Sequence, residues 1–283
     1  MSLSISPDVE EDDDLGPSEE VIEKVVTNAS LRNNKLLDSL SLVSSMSSEK
    51  RASKREQSLR SLFKAITQYT TGTLGQETIM SRLEEVIIPA CTNSLRGGVA
   101  TPAEQYASCR VLEATSVILG GDEDEFTETV YNMLVKVVKA TGRAAQVRGA
   151  ALRALSMSTF VCSTDSTYTN QVLDLCENVC AYSYRGENVA PSLRATALDC
   201  WALLSTTIHN SYIAGDEIDG IGNVRGVIIL PLLSECLNHV NLDLRCAAGE
   251  CVALIHEARL DMGIHDDEGE NATERRYRRG ELM

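Results

Sequence analysis

The sequence predicts an all-α fold of stacked helix pairs, and three observations predict it. Apolar residues recur at the 3.6-residue helical period through most of the chain, with no convincing period-two run. The core must be aliphatic, since hydrophobic residues make up 43% of the chain but aromatics only 4%. A short phrase also repeats: an apolar helix, a turn, then a helix that opens with Arg and packs small residues. Its clearest copy is Ile229–Leu237 followed by Asp243–Ile255. Weaker copies of the second half surround Arg148 and Arg194, and looser echoes surround Arg55 and Tyr106. Aligned on Arg55, Tyr106, Arg148, Arg194 and Arg245, the copies recur at intervals of 51, 42, 46 and 51 residues. HEAT and armadillo repeats recur at about 40–47 residues. Such a unit cannot bury its apolar face alone, so neighbours must stack. The expected architecture is an armadillo/HEAT-like α-solenoid.

The elements follow in order. Residues 1–17 contain Glu10-Glu11-Asp12-Asp13-Asp14, two Pro and a Gly, and are expected to form a disordered acidic tail. The helical-repeat domain is expected over residues 18–260. Val21, Ile22, Val25 and Val26 open its first face, and Leu36, Leu37, Leu40, Val43 and Met46 continue it. Ser53-Lys54-Arg55-Glu56 fits a capping box for the next helix, whose apolar side is Leu59, Leu62, Phe63 and Ile66. Ile79, Met80, Leu83, Val86 and Ile87 follow, and Pro89 should kink or restart that helix because it has no N–H. Thr101-Pro102-Ala103-Glu104 supplies an N-cap Thr, Pro at the first helical position and an acid at the third. Val111, Leu112, Val117, Ile118 and Leu119 form its apolar residues, and Gly120-Gly121 closes it. Asp122–Glu125 places negative charge at the positive end of the next helix dipole, ahead of Phe126, Val130, Met133, Leu134, Val137 and Val138. Further helices are expected near 144–162, 167–183, 192–209, 224–239 and 243–259, with Gly220–Gly226 as a loop. Residues 261–283, with Arg275, Arg276, Arg278 and Arg279, read as a flexible charged tail.

Composition narrows the function. No stretch approaches the roughly 18 apolar residues of a membrane span, and the start lacks a signal-peptide pattern. Cys109, Cys176, Cys180, Cys200, Cys236, Cys246 and Cys251 fall in apolar helical patterns, and the total of nine is odd. They read as reduced, buried thiols of a cytoplasmic or nuclear protein. A net charge of −15 makes naked nucleic acid a poor partner. A basic protein or a ribonucleoprotein fits better.

Candidate catalytic patterns fail on geometry. His256-Glu257 begins like a zinc-protease motif, but Leu260 stands where the second His is needed. Cys176 and Cys180 are one turn apart with no facing pair of ligands, so no metal site is expected. Gly220-Ile221-Gly222-Asn223-Val224-Arg225-Gly226 follows no strand and its third Gly is misplaced for a dinucleotide loop. The carboxylate pairs Glu84-Glu85 and Asp124-Glu125 diverge by about 100° on a helix and read as solvated faces. No enzymatic activity, cofactor or small-molecule substrate is expected.

Two basic clusters remain: Lys50, Arg51, Lys54, Arg55, Arg60 and Lys64 beside many Ser residues, and Arg143, Arg148 and Arg153. They read either as solvated surface or as contacts to phosphate or an acidic partner, which phosphorylation of the Ser residues would weaken. The recurrent Arg at the start of each second helix also admits a structural reading, bonding to the preceding turn.

The run Asn241-Leu242-Asp243-Leu244-Arg245-Cys246-Ala247-Ala248-Gly249-Glu250-Cys251-Val252-Ala253-Leu254-Ile255-His256-Glu257-Ala258-Arg259 resembles the end of the helical-repeat domain of the interferon-related developmental regulator family. The Ser53–Ile66 helix and the acidic stretch before it are also similar, so the likeness extends over about residues 30–262. The resemblance implies an armadillo-like solenoid without catalytic activity. It implies ribosome association in translational control, or transcriptional co-regulation through corepressor complexes. The family's basic C-terminal part, held to enter the ribosome's tRNA channel, begins near where this chain stops and is expected to be missing or vestigial here. Arg245, Ala248, Gly249 and Glu250 match the family motif and are expected to be structural.

Overall fold

A computed structural model of the chain describes residues 19–69, 72–96, 98–181, 183–184, 187–214 and 224–263. The expected acidic tail (1–17) lies outside them, as do residues 264–283 of the expected C-terminal tail and the side chains of Val21, Ile22, Val25 and Val26. Twelve α-helices are seen among the described residues. They are α1 (Glu19–Ser44), α2 (Ala52–Tyr69), α3 (Gly72–Arg82), α4 (Ile88–Leu95), α5 (Pro102–Leu119) and α6 (Asp124–Lys139). Then come α7 (Ala145–Cys162), α8 (Ser166–Cys180), α9 (Pro191–Ser205), α10 (Asn210–Ala214), α11 (Arg225–Leu237) and α12 (Leu242–Asp261). A hairpin of β1 (Ser183–Tyr184) and β2 (Glu187–Asn188), paired Ser183↔Asn188, interrupts the helices where helix had been expected to run on to residue 183.

The helices pair as α1/α2, α4/α5, α6/α7, α8/α9 and α11/α12, and the pairs stack in chain order into an all-α helical-repeat solenoid. The second helices α2, α5, α7, α9 and α12 lie side by side. Arg55 meets Glu104 near the starts of α2 and α5, while Arg110 lies over the Phe63 ring further along both, so these two run parallel. The Cys162 thiol donates to Ser116 O near the ends of α7 and α5, and Cys251 donates to Leu198 O between α12 and α9. The seam between layers is aliphatic: Leu36, Leu59, Leu62, Ile79, Leu112, Leu134, Leu155, Leu198 and Leu233 are all buried. Four expected core positions, Leu37, Met80, Val117 and Cys246, are instead exposed.

Local chemistry sets the helix boundaries. Thr101 caps α5 by accepting the Glu104 N–H at 3.2 Å, Pro102 stands at the first turn, and Gly120 ends the helix at φ +83°. The α2 capping box does not form. The helix starts at Ala52, so Ser53 lies inside the first turn, and Glu49 accepts the Arg51 N–H at 2.8 Å. Pro89 acts as its missing N–H requires. The chain widens into a π-helical turn at Leu83–Ile87, which relieves its ring against the preceding carbonyls, and α4 restarts with the proline in its first turn. Gly226, expected in a loop, opens α11. A Cβ there would lie 2.1 Å from Ile213 O, so only glycine lets α10 and α11 approach so closely.

One interaction recurs at every layer. The last carbonyls of a helix have no intrahelical partner, and here an arginine caps them each time. Arg55 Nη1 donates to Glu49 O and Lys50 O after the α1 turn, at 3.0 and 3.1 Å. Arg143 Nη2 donates to Leu95 O of α4 at 2.7 Å, and Arg148 Nε to Val138 O of α6 at 2.9 Å. Arg194 Nε donates to Cys180 O of α8 at 2.7 Å, and Arg245 Nη1 to His239 O and Val240 O after α11 at 2.9 and 3.0 Å. The second repeat carries Tyr106 in the aligned place, so its cap arrives from Arg143 of the next repeat.

Ion pairs tie layers together. Glu104, 2% exposed, binds Arg55 through both carboxylate oxygens, at 3.0 and 2.9 Å, and accepts Ser94 Oγ at 2.9 Å. Arg194 Nη2 reaches Glu235 at 2.8 Å, and Arg225 reaches Asp174 and Glu177 at 2.7 and 3.0 Å. Asp124, expected on a solvated face, accepts from Ser163 Oγ, Thr164 N and Thr164 Oγ1, which fastens α6 to the α7–α8 turn. The Thr164 and Ser163 hydroxyls, then the Thr164 N–H, hold its carboxyl at about 2.

Two measurements test this scaffold. Glu104→Ala strands a largely buried guanidinium and should cost about 3–5 kcal/mol in urea unfolding; a midpoint equal to wild type would show that the pair is idle. The Asp124 contribution is complete above the ordinary carboxylate value of 3.8 and vanishes as pH falls toward about 2. Asp124→Asn should therefore melt below wild type near neutrality, with the gap closing across that acid window. A gap that does not change with pH contradicts the assignment.

Candidate docking surface

The first basic cluster sits at one end of the stack. Residues 45–64 hold six cations and two carboxylates in a chain of net charge −15. The 3₁₀ turn Ser45–Ser48 and the Arg55 cap fix the α1–α2 corner, and Lys50, Arg51, Lys54, Arg60 and Lys64 project from it into solvent. Arg55 does not join them. Its guanidinium is 12% exposed and committed to Glu104 and two carbonyls, so the docking set loses it to the fold. Two local carboxylates answer the remaining cations: Lys54 lies 3.6 Å from Glu49 and Arg60 2.8 Å from Glu56. The Arg51 N–H, and then the Lys54 and Arg51 charges, pull the Glu49 carboxyl below its ordinary range. Exposed pairs of this kind are worth at most about 1 kcal/mol and exchange readily for an incoming charge.

A cleft of about 560 Å³ opens beside this corner. Val43, Met46 and Val86 form its apolar wall, and Glu49 and Glu85 also line it, with Glu104 behind them held by Arg55 and Ser94. With Arg55 already paired to Glu104, the remaining acids make the cleft suited to a basic or amide group and unsuited to a phosphate.

The second cluster dissolves in three dimensions. Arg148 is 2% exposed and faces the α6 carbonyl end, and Arg143 is turned onto Leu95 O. Arg153 is half-buried and lies near Asp199, whose carboxyl burial raises and Arg153 lowers. Arg143, Arg148 and Arg153 thus belong to the interior of the stack and present no joint basic surface. Their spacing in sequence resembles a patch because this one repeat carries two capping arginines, Arg148 for its own first helix and Arg143 for the one before.

The family-motif residues divide. Arg245 caps α11, and Ala248 is fully buried. Gly249 and Glu250 do not share that role: nothing lies within 4 Å of a Cβ built on Gly249, and Glu250 is exposed. Sequence reasoning missed Glu104, Arg225 and Asp124, the residues that join one layer to another. Only the acid three places past Thr101 offered a signal, and it fitted a local cap equally well.

Eight of the nine cysteines are buried and Cys246 alone is exposed. Burial pushes the thiols of Cys109, Cys162, Cys200 and Cys251 up to about 12. Cys236 is lowered, because it takes the Cys180 hydrogen bond and has Arg194 Nη2 3.2 Å from its sulfur, yet it too is sealed from solvent. At dilutions where the chain is a single copy, native protein should therefore present one rapidly reacting thiol to an aromatic disulfide reagent, lost in Cys246→Ser, and all nine after denaturation. Several fast thiols in the native state would contradict the packing.

No helix among the described residues is long and apolar enough to cross a membrane. Comparison with known families matches the interferon-related developmental regulator family over residues 2–282, nearly the whole chain. No curated protein matches the chain.

Proposed function

Because the chain belongs to the interferon-related developmental regulator family, we propose that this helical regulator acts as a non-enzymatic adaptor that associates with ribosomes in translational control. The observation that carries the reading is the corner formed by Lys50, Arg51, Lys54, Arg60 and Lys64. It is a compact cationic surface on a body that is otherwise strongly acidic. Such an arrangement repels free nucleic acid over most orientations and admits a phosphate-bearing particle at one end only. The folded solenoid presents that corner with its backbone already ordered, so binding has only the side chains left to fix.

A second reading is a nuclear co-regulator scaffold that binds the basic tails of other proteins. The cleft bordered by Glu49 and Glu85 favours it.

Sedimentation of the tagged protein through a sucrose gradient at low salt separates them. Ribosome association places the protein in the subunit and monosome fractions. Reversal of Lys50, Arg51, Lys54 and Arg60 to Glu, with Arg55 untouched, should move it to the soluble fractions while leaving its melting temperature near wild type. Protein confined to the top of the gradient before any substitution refutes the ribosomal reading. Retention of the charge-reversed protein on ribosomes removes this corner from it.

A further inference from the structure

We propose that the outer face of α12 is a dimerisation surface, on which a second copy of this chain packs its own α12 in parallel. Along α12, Leu242, Cys246, Gly249, Ala253, His256 and Leu260 recur at alternating steps of four and three residues. That is the a/d spacing of a two-helix seam. Cys246, Ala253 and His256 are exposed, as are Leu242 at 60% and Leu260 at 44%. The space above Gly249 is open.

The same face is covered in α9 and α7, the two layers whose aligned Arg is also buried. The residues of α9 that correspond to Cys246, Gly249 and His256 are Ala195, Leu198 and Ser205, all buried; Leu198 O accepts from Cys251 of α12. In α7 the counterpart of Cys246 is Gly149, where a Cβ would touch Thr196 and Leu193 of α9, and the counterpart of Gly249 is the buried Leu152. The α12 face therefore continues an interface that the solenoid already builds between parallel neighbours. Residues 264–283 supply few apolar side chains for covering it: Ile264, Ala272, Tyr277, Leu282 and Met283 are scattered among charges.

Flanking charge selects both the occupant and its direction. One side of the seam carries Asp243, Glu250 and Glu257; the other carries Arg259 and Arg245, whose Nη1 caps the α11 turn and whose Nε and Nη2 remain for the flank. In a parallel pair each acidic flank meets the partner's opposite flank, and Arg245 comes level with Glu250 of the second copy at two symmetric places. An antiparallel pair would set acid against acid. The helix that best complements α12 thus has the pattern of α12 itself, which is what a two-fold, self-complementary interface requires.

Sedimentation velocity on the full chain across a wide concentration range tests this, together with a short thiol-to-thiol bismaleimide. Parallel pairing sets Cys246 opposite Cys246 of the second copy, so the dimer should cross-link and Cys246→Ser should not. Gly249→Glu points a charge into open space in the single chain, so it should melt as wild type but sediment as a monomer. A wild type that stays monomeric throughout overturns the proposal. A dimer that persists in Gly249→Glu places the contact elsewhere, and one that forms without Cys246 cross-links has the wrong direction; either also overturns it.

Discussion

The stack depends on what happens at the carbonyl end of each first helix. In the inner layers those carbonyls lie at a buried joint between two helices, and an uncapped carbonyl there carries a desolvation cost of about 1–3 kcal/mol. A guanidinium is well suited to the position. It is always charged, its fork of donors reaches two acceptors at once, and its attraction for the negative end of the helix dipole adds to the bonds. Arg55, Arg143, Arg148, Arg194 and Arg245 each perform this task. The apolar seam gives the layers their cohesion, and the arginines set the angle at which each helix turns back on its partner.

This explains how much of the fold could be read from residue order. The repeated Arg followed by small residues was visible because capping and close packing are local demands that recur once per repeat. Helix limits near Gly120, Thr101 and Pro89 were legible for the same reason: each is a backbone constraint within a few residues. Pairings across layers were not. Glu104 lies 49 residues from Arg55, and nothing in either neighbourhood marks the two as partners. The hairpin at Ser183–Asn188 has strands two residues long, too short to show alternation.

The docking surface was legible only in part, for a related reason. A positive charge near a helix start has the same appearance in sequence whether it caps a carbonyl or faces solvent. Burial separates the two, and burial is decided by the neighbouring repeat. Lys50, Arg51, Lys54, Arg60 and Lys64 remain outside because no repeat precedes α2 on that side except α1, while Arg148 is enclosed by layers on both sides. Among the described residues the first and last layers consequently differ in chemistry, cationic at α2 and apolar at α12, although the repeats between them are alike.

The borrowed cap at Leu95 has a further bearing on how such an array can change. In many repeat arrays a whole unit can be excised or duplicated, since each carries its own fittings. Here the α4/α5 unit lends a carboxylate to the unit before it and takes its guanidinium from the unit after it. Removing any of the first three units as a block would leave an ion or a carbonyl orphaned at the new junction. The order of these units is therefore locked by polar chemistry, even though the oily contacts between them are interchangeable.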